Sequence, residues 1–287
     1  MKKITILIFS ISLMNFLWAQ SPWLQKKGSL LNQISFNTIQ NYSELYLSSG
    51  ETFTTERNLT DNTVQAWFEY GLFETTSLQL VAPLKFLKAG DPSQTENQTP
   101  QTSSGSLNSI GNVIFTWKQN WLHQTWLLTS HFNIELPTTQ YDDASGLRSG
   151  YDAWAFSATL SAGRGFEATY VYAHLGIGSR TNDYSSFYTG GFEWGYHVFK
   201  PLWIAGVLNV LQSFKNGDRT EPDNNILTGL YVNDQEFIAW GIKVFGQITD
   251  ENFGYSAALF GAFKGNHVAK SPSINLGLYY RFSFISN

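Results

Sequence analysis

From Ser273 onward the chain alternates, residue by residue, between two kinds of side chain. Ile274, Leu276, Leu278, Tyr280, Phe282 and Phe284 fall on one face of an extended strand, and Asn275, Gly277, Tyr279, Arg281 and Ser283 on the other. Successive side chains of a strand point to opposite faces, so this period-two pattern requires an apolar surrounding on one side only. The pattern recurs. Trp126, Leu128, Phe132, Ile134 and Leu136 oppose Thr125, Thr129, His131, Asn133 and Glu135, with Ser130 alone breaking the apolar face. Trp154, Phe156, Ala158, Leu160 and Ala162 oppose Ala155, Ser157, Thr159 and Ser161, and Ile238, Trp240, Ile242 and Val244 oppose Ala239, Gly241, Lys243 and Phe245. Twelve such segments begin near Leu30, Thr63, Ser77, Asn112, Thr125, Ala153, Glu167, Tyr188, Leu202, Glu236, Gly254 and Ser273.

After the N-terminus, no stretch reaches the roughly 20 consecutive apolar residues that a membrane-spanning helix needs. Aromatic residues nevertheless make up 16% of the chain and charged residues only 14%, against roughly 25% charged in soluble domains. A β-sandwich would gather its aromatics into one core. Here apolar sets recur on nearly every strand, with Trp121, Phe166, Trp194, Phe199, Trp203 and Phe253 near strand ends, where interfacial girdles sit. The connections alternate as well. Short turns near residues 71–76, 120–123, 163–166, 199–201 and 249–253 interleave with long polar stretches at 48–61, 89–107, 138–150, 179–186, 215–234 and 265–271. The expected fold is an all-β transmembrane antiparallel up-and-down β-barrel of about 12 strands, an even number as bacterial single-chain barrels have.

Lys2 and Lys3, the apolar run from Ile4 to Trp18 and Ala19 before Gln20 read as a secretory signal peptide. The expected division is therefore residues 1–19 as signal and 20–287 as an outer-membrane barrel. The chain has no cysteine, so it carries neither disulfides nor a lipid-attachment cysteine. Loss of Lys2 and Lys3 leaves 16 of the 18 basic residues against 22 acids, a formal charge near −6. Such a surface excludes nucleic acid as a natural partner.

Tyr70-Gly71-Leu72-Phe73-Glu74-Thr75-Thr76-Ser77-Leu78 with Ala82-Pro83-Leu84, then Ile110-Gly111-Asn112-Val113 with Lys118, and Leu136-Pro137-Thr138, resemble the outer-membrane family named for the MetA pathway of phenol degradation. The resemblance runs by spacing from about Tyr70 to Ser213. The family usually has aspartate where this chain has Asn112, and glycine where it has Thr139. Members are relatives of the long-chain fatty-acid porins and are regarded as outer-membrane channels for hydrophobic or aromatic compounds. The resemblance implies the same fold and a solute of that class.

Polar residues on inward faces are the candidate lumen lining: His131, Asn133 and Glu135 in one row, with Asp152 expected nearby, and Lys118, Lys243, Arg281, Glu69 and Glu193 as charges paired across strands. Pro83 removes a ladder donor inside a strand and marks a bend or kink, which in a transport reading opens a lateral gap. The segment Ser21 to Gly28 is amphipathic and precedes the first strand, a candidate to tuck into the periplasmic mouth.

No catalytic site is expected, because the inward neighbours of His131 are Thr129 and Asn133 while Ser130 faces away. A hydroxyl within reach of His131 is what an enzyme reading would need. The five histidines lack the close spacing of zinc ligands, and no cofactor motif is present. The expected function is an outer-membrane channel or facilitator for small hydrophobic or aromatic compounds. Its partners would be outer-membrane lipid, the solute and the outer-membrane assembly machinery. The alternative is a plugged structural or surface-recognition barrel without transport.

Overall fold

The computed structural model describes residues 20–93, 102–249 and 252–284. The segment read as a signal peptide thus lies outside the described residues, as do residues 94–101 of the long polar stretch and residues 250–251 of the last short turn. The chain runs as β1 (Ser29–Tyr46), β2 (Thr52–Phe73), β3 (Thr76–Ala89), β4 (Gly105–Ile110), β5 (Val113–His123), β6 (Leu127–Leu136), β7 (Tyr141–Asp142) and β8 (Leu147–Arg148). It continues as β9 (Ala155–Gly165), β10 (Thr169–Arg180), β11 (Phe187–Phe199), β12 (Leu202–Ser213), a one-turn helix α1 (Asp223–Ile226), β13 (Glu236–Thr249), β14 (Phe253–Asn266), β15 (Val268–Ala269) and β16 (Ser273–Ser283).

The long strands pair in chain order, each antiparallel to the next, and β1 pairs with both β2 and β16 to close the sheet. Because β4 and β5 are two halves of one stave, the closed barrel has 12 staves. A closed barrel leaves no edge strand and satisfies its backbone internally, as a chain in lipid must. Apolar side chains such as Ile34, Phe68, Leu80, Phe132, Leu175 and Leu278 project outward and exposed from stave after stave. A continuous apolar belt of this kind exceeds the few hundred Å² that soluble proteins leave exposed. Ser130, the one polar break in the β6 face, is answered by Trp121, whose indole donates to its hydroxyl at 2.9 Å.

Two expectations require correction. The second strand begins at Thr52, not near Thr63, so most of the stretch read as an external loop at 48–61 is wall. Thr55, Arg57 and Asp61 alternate inward here with Leu59 and the half-buried Phe53, and a period-two pattern carried mostly by polar residues is faint in hydropathy. Trp203 is not a girdle residue either. It shares the inward parity of Ala205, Val207 and Asn209, and its ring stacks on Phe245 inside the barrel at a centroid distance of 6.1 Å.

At the long-loop end the connections fold back over the mouth. Residues 137–154, containing the hairpin β7–β8, and residues 214–235, containing α1, bring Leu147, Tyr151, Leu230 and Tyr231 onto the inward Ile39, Leu59 and Leu87 of the wall. This cap has its own hydrophobic core. It is also pinned electrostatically: Arg148 reaches Glu221 at 3.0 Å and Asp152 at 2.9 Å, and donates to the Tyr184 hydroxyl at 2.7 Å. Asp152 therefore belongs to the cap; no hydrogen bond or ion pair joins it to Glu135.

Candidate functional site

The described chain starts inside the barrel. Residues 20–28 run along the lumen at the short-turn end before the chain enters β1, the placement suggested by the amphipathic sequence. Thr129 donates to the Pro22 carbonyl at 2.7 Å, Lys118 to the Trp23 carbonyl at 2.8 Å, and Gln25 N–H to the Ser77 hydroxyl at 3.2 Å. The Trp23 ring meets Tyr170 and Tyr172 edge-on at 5.5 and 5.6 Å. Gly71 and Gly163 make the approach possible, because a Cβ at either would collide with the Lys26 carbonyl or with the Pro22 ring. Every carbonyl named here finds a donor, as a backbone removed from water must.

Among the described residues this segment and the cap border two chambers in the lumen. The inner one lies at the short-turn end and includes about 380 Å³ accessible to the centre of a water molecule. Its walls are Trp23, Trp67, Tyr170, Tyr172, Trp203 and Phe245, with Glu69, Glu193, Lys243 and Arg281 among them. The charges are arranged in pairs set two staves apart. Lys118 on β5 holds both oxygens of Glu69 on β2, at 3.1 and 3.3 Å, and both side chains are almost sealed from solvent, at 0% and 2% exposure. Lys243 on β13 holds Glu193 on β11 at 2.5 Å, and the Tyr170 and Tyr172 hydroxyls donate to the same carboxylate at 2.5 and 3.0 Å. Glu193 is thus fully engaged. A buried ion pair without such extra donors would not recover its desolvation cost.

The outer chamber lies between Gln20 below and Tyr151 and Tyr231 of the cap above, and is the tighter of the two, with about 100 Å³ accessible to the centre of a water molecule. Ile114, Phe187, Val210, Leu211 and Phe237 give it an apolar lining, and Asn133, Glu135, His174, Arg180 and Asn209 add polar groups. Its side wall includes Pro83 and Asn112, where the stave formed by β4 and β5 is interrupted. Gly111 N–H still reaches the Pro83 carbonyl at 2.9 Å. Around it the ladder is replaced by side chain: Asn112 donates to the Leu136 and Tyr151 carbonyls at 3.0 and 2.8 Å and accepts from Tyr151 N–H at 2.7 Å. An aspartate, the residue usual in the resembling family, could accept here but not donate.

Of the expected lumen residues, Asn133 and Glu135 line the outer chamber, and Glu69, Glu193, Lys243 and Arg281 the inner one. Lys118 and His131 also point inward but border neither chamber, because the N-terminal segment and neighbouring side chains fill the space beside them. The bulge expected at Pro83 is not found: β3 runs through Pro83 in unbroken register with β2, and the interruption lies on the neighbouring stave, between β4 and β5, because Pro83 offers no N–H to it. A hydroxyl does lie near His131: its Nε2 is 2.8 Å from Ser161 Oγ. Both residues are completely buried, and neither lines either of the two chambers. Among the described residues no group of His, Asp and Glu is placed to hold a metal ion.

Sequence reading missed Arg180, His174 and Asn209 as chamber residues, although parity carried the signal. With Val171, Ala173, Leu175 and Ile177 facing out from β10, the even-numbered residues from Tyr170 to Arg180 must face in.

A closed twelve-stave barrel with an apolar outer belt, a polar partitioned interior and an inserted N-terminal segment defines the class: this is the fold of bacterial outer-membrane β-barrels. Among solved structures, an outer membrane channel from Pseudomonas putida F1 superposes with a TM-score of 0.71 at 14% identity, covering 94% of this chain and 100% of its own. The translocator domain of the autotransporter NalP from Neisseria meningitidis superposes with a TM-score of 0.53 at 9% identity, covering 90% of each chain. No family model and no curated protein sequence matches the chain. The likeness drawn from the motifs around Tyr70 to Ser213 is therefore met at the level of fold.

Proposed function

We propose that this protein resides in the bacterial outer membrane, exported by the segment 1–19 and inserted by the assembly machinery, and acts as a channel or facilitator for small hydrophobic or aromatic compounds. The observation that carries the reading is the outer chamber: an apolar-lined space under a closed cap, bordered by the stave that is broken between Ile110 and Val113, beside Pro83 of β3. An open water-filled pore of porin type needs more staves, and here both mouths are obstructed by the chain itself. A solute dissolved in the lipid leaflet meets the wall where its backbone ladder is interrupted, which supports lateral entry. The likeness in fold to an outer membrane channel supports a transport role.

The test is a reversible bolt across that wall. Pro83→Cys with Gly111→Cys places two thiols on neighbouring staves, where a Cβ added at Gly111 would stand 3.0 Å from the present Pro83 ring. In reconstituted vesicles the oxidised double variant should lose influx of an apolar aromatic solute such as toluene and regain it on reduction. Single-channel conductance in a planar bilayer should be the same in both states. Unchanged solute influx on oxidation would remove the lateral route. A wild-type barrel inert to both ions and solutes would instead favour the plugged, surface-recognition reading, which the cap's own hydrophobic core supports.

A further inference from the structure

Many polar side chains inside this barrel are matched. Lys118 and Glu69, Lys243 and Glu193, and Lys85 and Asp61 form ion pairs; Asn133 accepts from Thr116 at 2.7 Å and donates to Ser157 at 3.0 Å. Single buried atoms of Gln65, Trp67 and Ser256 and both side-chain atoms of Gln79 go without a partner elsewhere in the barrel, but the outer chamber gathers several such groups around one space. Arg180, His174, Asn209 and Glu135 all line it, and none makes a side-chain hydrogen bond or ion pair with a described residue. Arg180 Nε, His174 Nδ1 and Asn209 Nδ2 are each buried without an acceptor, and His174 as a residue is only 6% exposed. Burial without a partner costs a polar group about 1–3 kcal/mol and a charged one more. The cost is recovered when a ligand supplies the missing atoms.

The chemistry of the four groups specifies that ligand. Arg180 and Asn209 offer donors, and a neutral imidazole offers one more. The guanidinium of Arg180 lies over the Tyr151 ring at 3.9 Å and the Phe187 ring at 4.2 Å. Stacking of that kind holds its plane and leaves the N–H edge, the fork that matches a carboxylate, uncovered by the two rings. Glu135, in contrast, is an acceptor. Register puts Glu135, Ala155 and Arg180 in one row across β6, β9 and β10, with the smallest side chain in the middle. Two strand spacings separate the acid from the base, roughly 10 Å at the backbone, and the side chains reach inward from both ends of that gap. About 100 Å³ of the chamber admits the centre of a water molecule, a space suited to one ring and not to a long chain.

We infer that the outer chamber selects a small aromatic carboxylic acid carrying a hydrogen-bond donor on the far side of its ring. The carboxylate lies against Arg180, with His174 and Asn209 completing its donors, and a hydroxyl or amino substituent donates to Glu135. The apolar walls take the ring faces. Glu135 also repels a second acid group, so the site discriminates against dicarboxylates as well as against plain hydrocarbons. This inference rests on the proposed transport of small apolar or aromatic solutes and narrows its substrate class.

Isothermal titration of the purified, detergent-solubilised full chain with 4-hydroxybenzoate, benzoate, toluene and 1,4-benzenedicarboxylate tests it. 4-Hydroxybenzoate should bind saturably, benzoate several-fold more weakly, and toluene and the diacid at least tenfold more weakly. Arg180→Gln should weaken 4-hydroxybenzoate at least tenfold and leave toluene unchanged, while Glu135→Gln should bring the diacid to within a few-fold of benzoate. Heat-modifiable gel mobility reports whether each variant is folded, and Asn209→Leu serves if Arg180→Gln is not. Equal binding of all four solutes, or no effect of either donor variant, overturns the inference. Binding of toluene without the acids overturns it while leaving the apolar-solute reading standing; binding of none, with no toluene influx, removes both.

Discussion

Replacing Lys118 by methionine keeps most of the side-chain volume and removes one charge from the most enclosed ion pair in the barrel. Its ammonium makes three contacts, to the two Glu69 oxygens at 3.1 and 3.3 Å and to the Trp23 carbonyl at 2.8 Å. Removing one member of a buried pair costs about 3–5 kcal/mol, because the other charge stays buried without compensation. Glu69→Gln should cost less, about 2–3 kcal/mol, since the amide oxygen still accepts from Lys118 and the Trp23 carbonyl still holds it. The double variant Lys118→Met/Glu69→Gln leaves no buried charge at this position. Its loss should fall short of the sum of the single losses by at least about 2 kcal/mol. The measurement is equilibrium unfolding in urea of the refolded barrel in lipid vesicles, followed by tryptophan fluorescence and gel mobility. Losses that add to within about 0.5 kcal/mol would mean that the pair is solvated and that its apparent burial does not govern its energy.

Two further outcomes follow from the same geometry. A side chain at Gly71 must collide with the Lys26 carbonyl, so Gly71→Val should displace the segment 20–28 and make Trp23 more accessible to acrylamide quenching; unchanged quenching would show that the segment accommodates the side chain. At the cap, burial pushes the Asp152 carboxyl up, but the Tyr184 hydroxyl, Arg148 and Arg219 together outweigh it and hold the group below the usual aspartate range. A depressed carboxylate stabilises the cap fully above its unfolded value of about 3.9, and this contribution is lost as pH falls through the lower folded value. Amide exchange in residues 214–235, corrected for intrinsic rates, should therefore rise as pH drops below about 4, and Asp152→Asn should flatten that rise.

The strand count, the outward faces and the inward position of Lys118, Glu69, Glu193 and Lys243 were legible because each follows from parity along a single strand. Partnerships were only half legible. Parity shows that Lys118 faces in, but its partner stands two staves away, and that distance depends on register across β3, which local sequence does not encode. The cap was opaque for another reason. Leu147, Tyr151, Leu230 and Tyr231 sit in stretches whose polar composition reads as solvated loop, and only the closed mouth beneath them gives those four residues something to pack against. The strand from Thr52 to Asp61 was missed because its inward face is mostly polar and its outward face is not lipid-like. His174, Arg180 and Asn209 were readable by parity but not distinguishable as a group, since they lie on two strands with β11 between them.

The segment 20–28 has a mechanical meaning beyond obstruction. It leaves the wall at β1, one of the two strands that meet at the closing seam, and Trp23 presses on β10, six staves round a ring of twelve. Lys118 and Thr129 hold it to the flank in between. It therefore acts as a diametral strut, fixing the cross-section of the barrel at that level as a spoke fixes a rim. A barrel braced in this way resists being squeezed by lateral pressure in the membrane, and its inner mouth can change shape only when one peptide segment lets go, without a single hydrogen bond of the wall being broken.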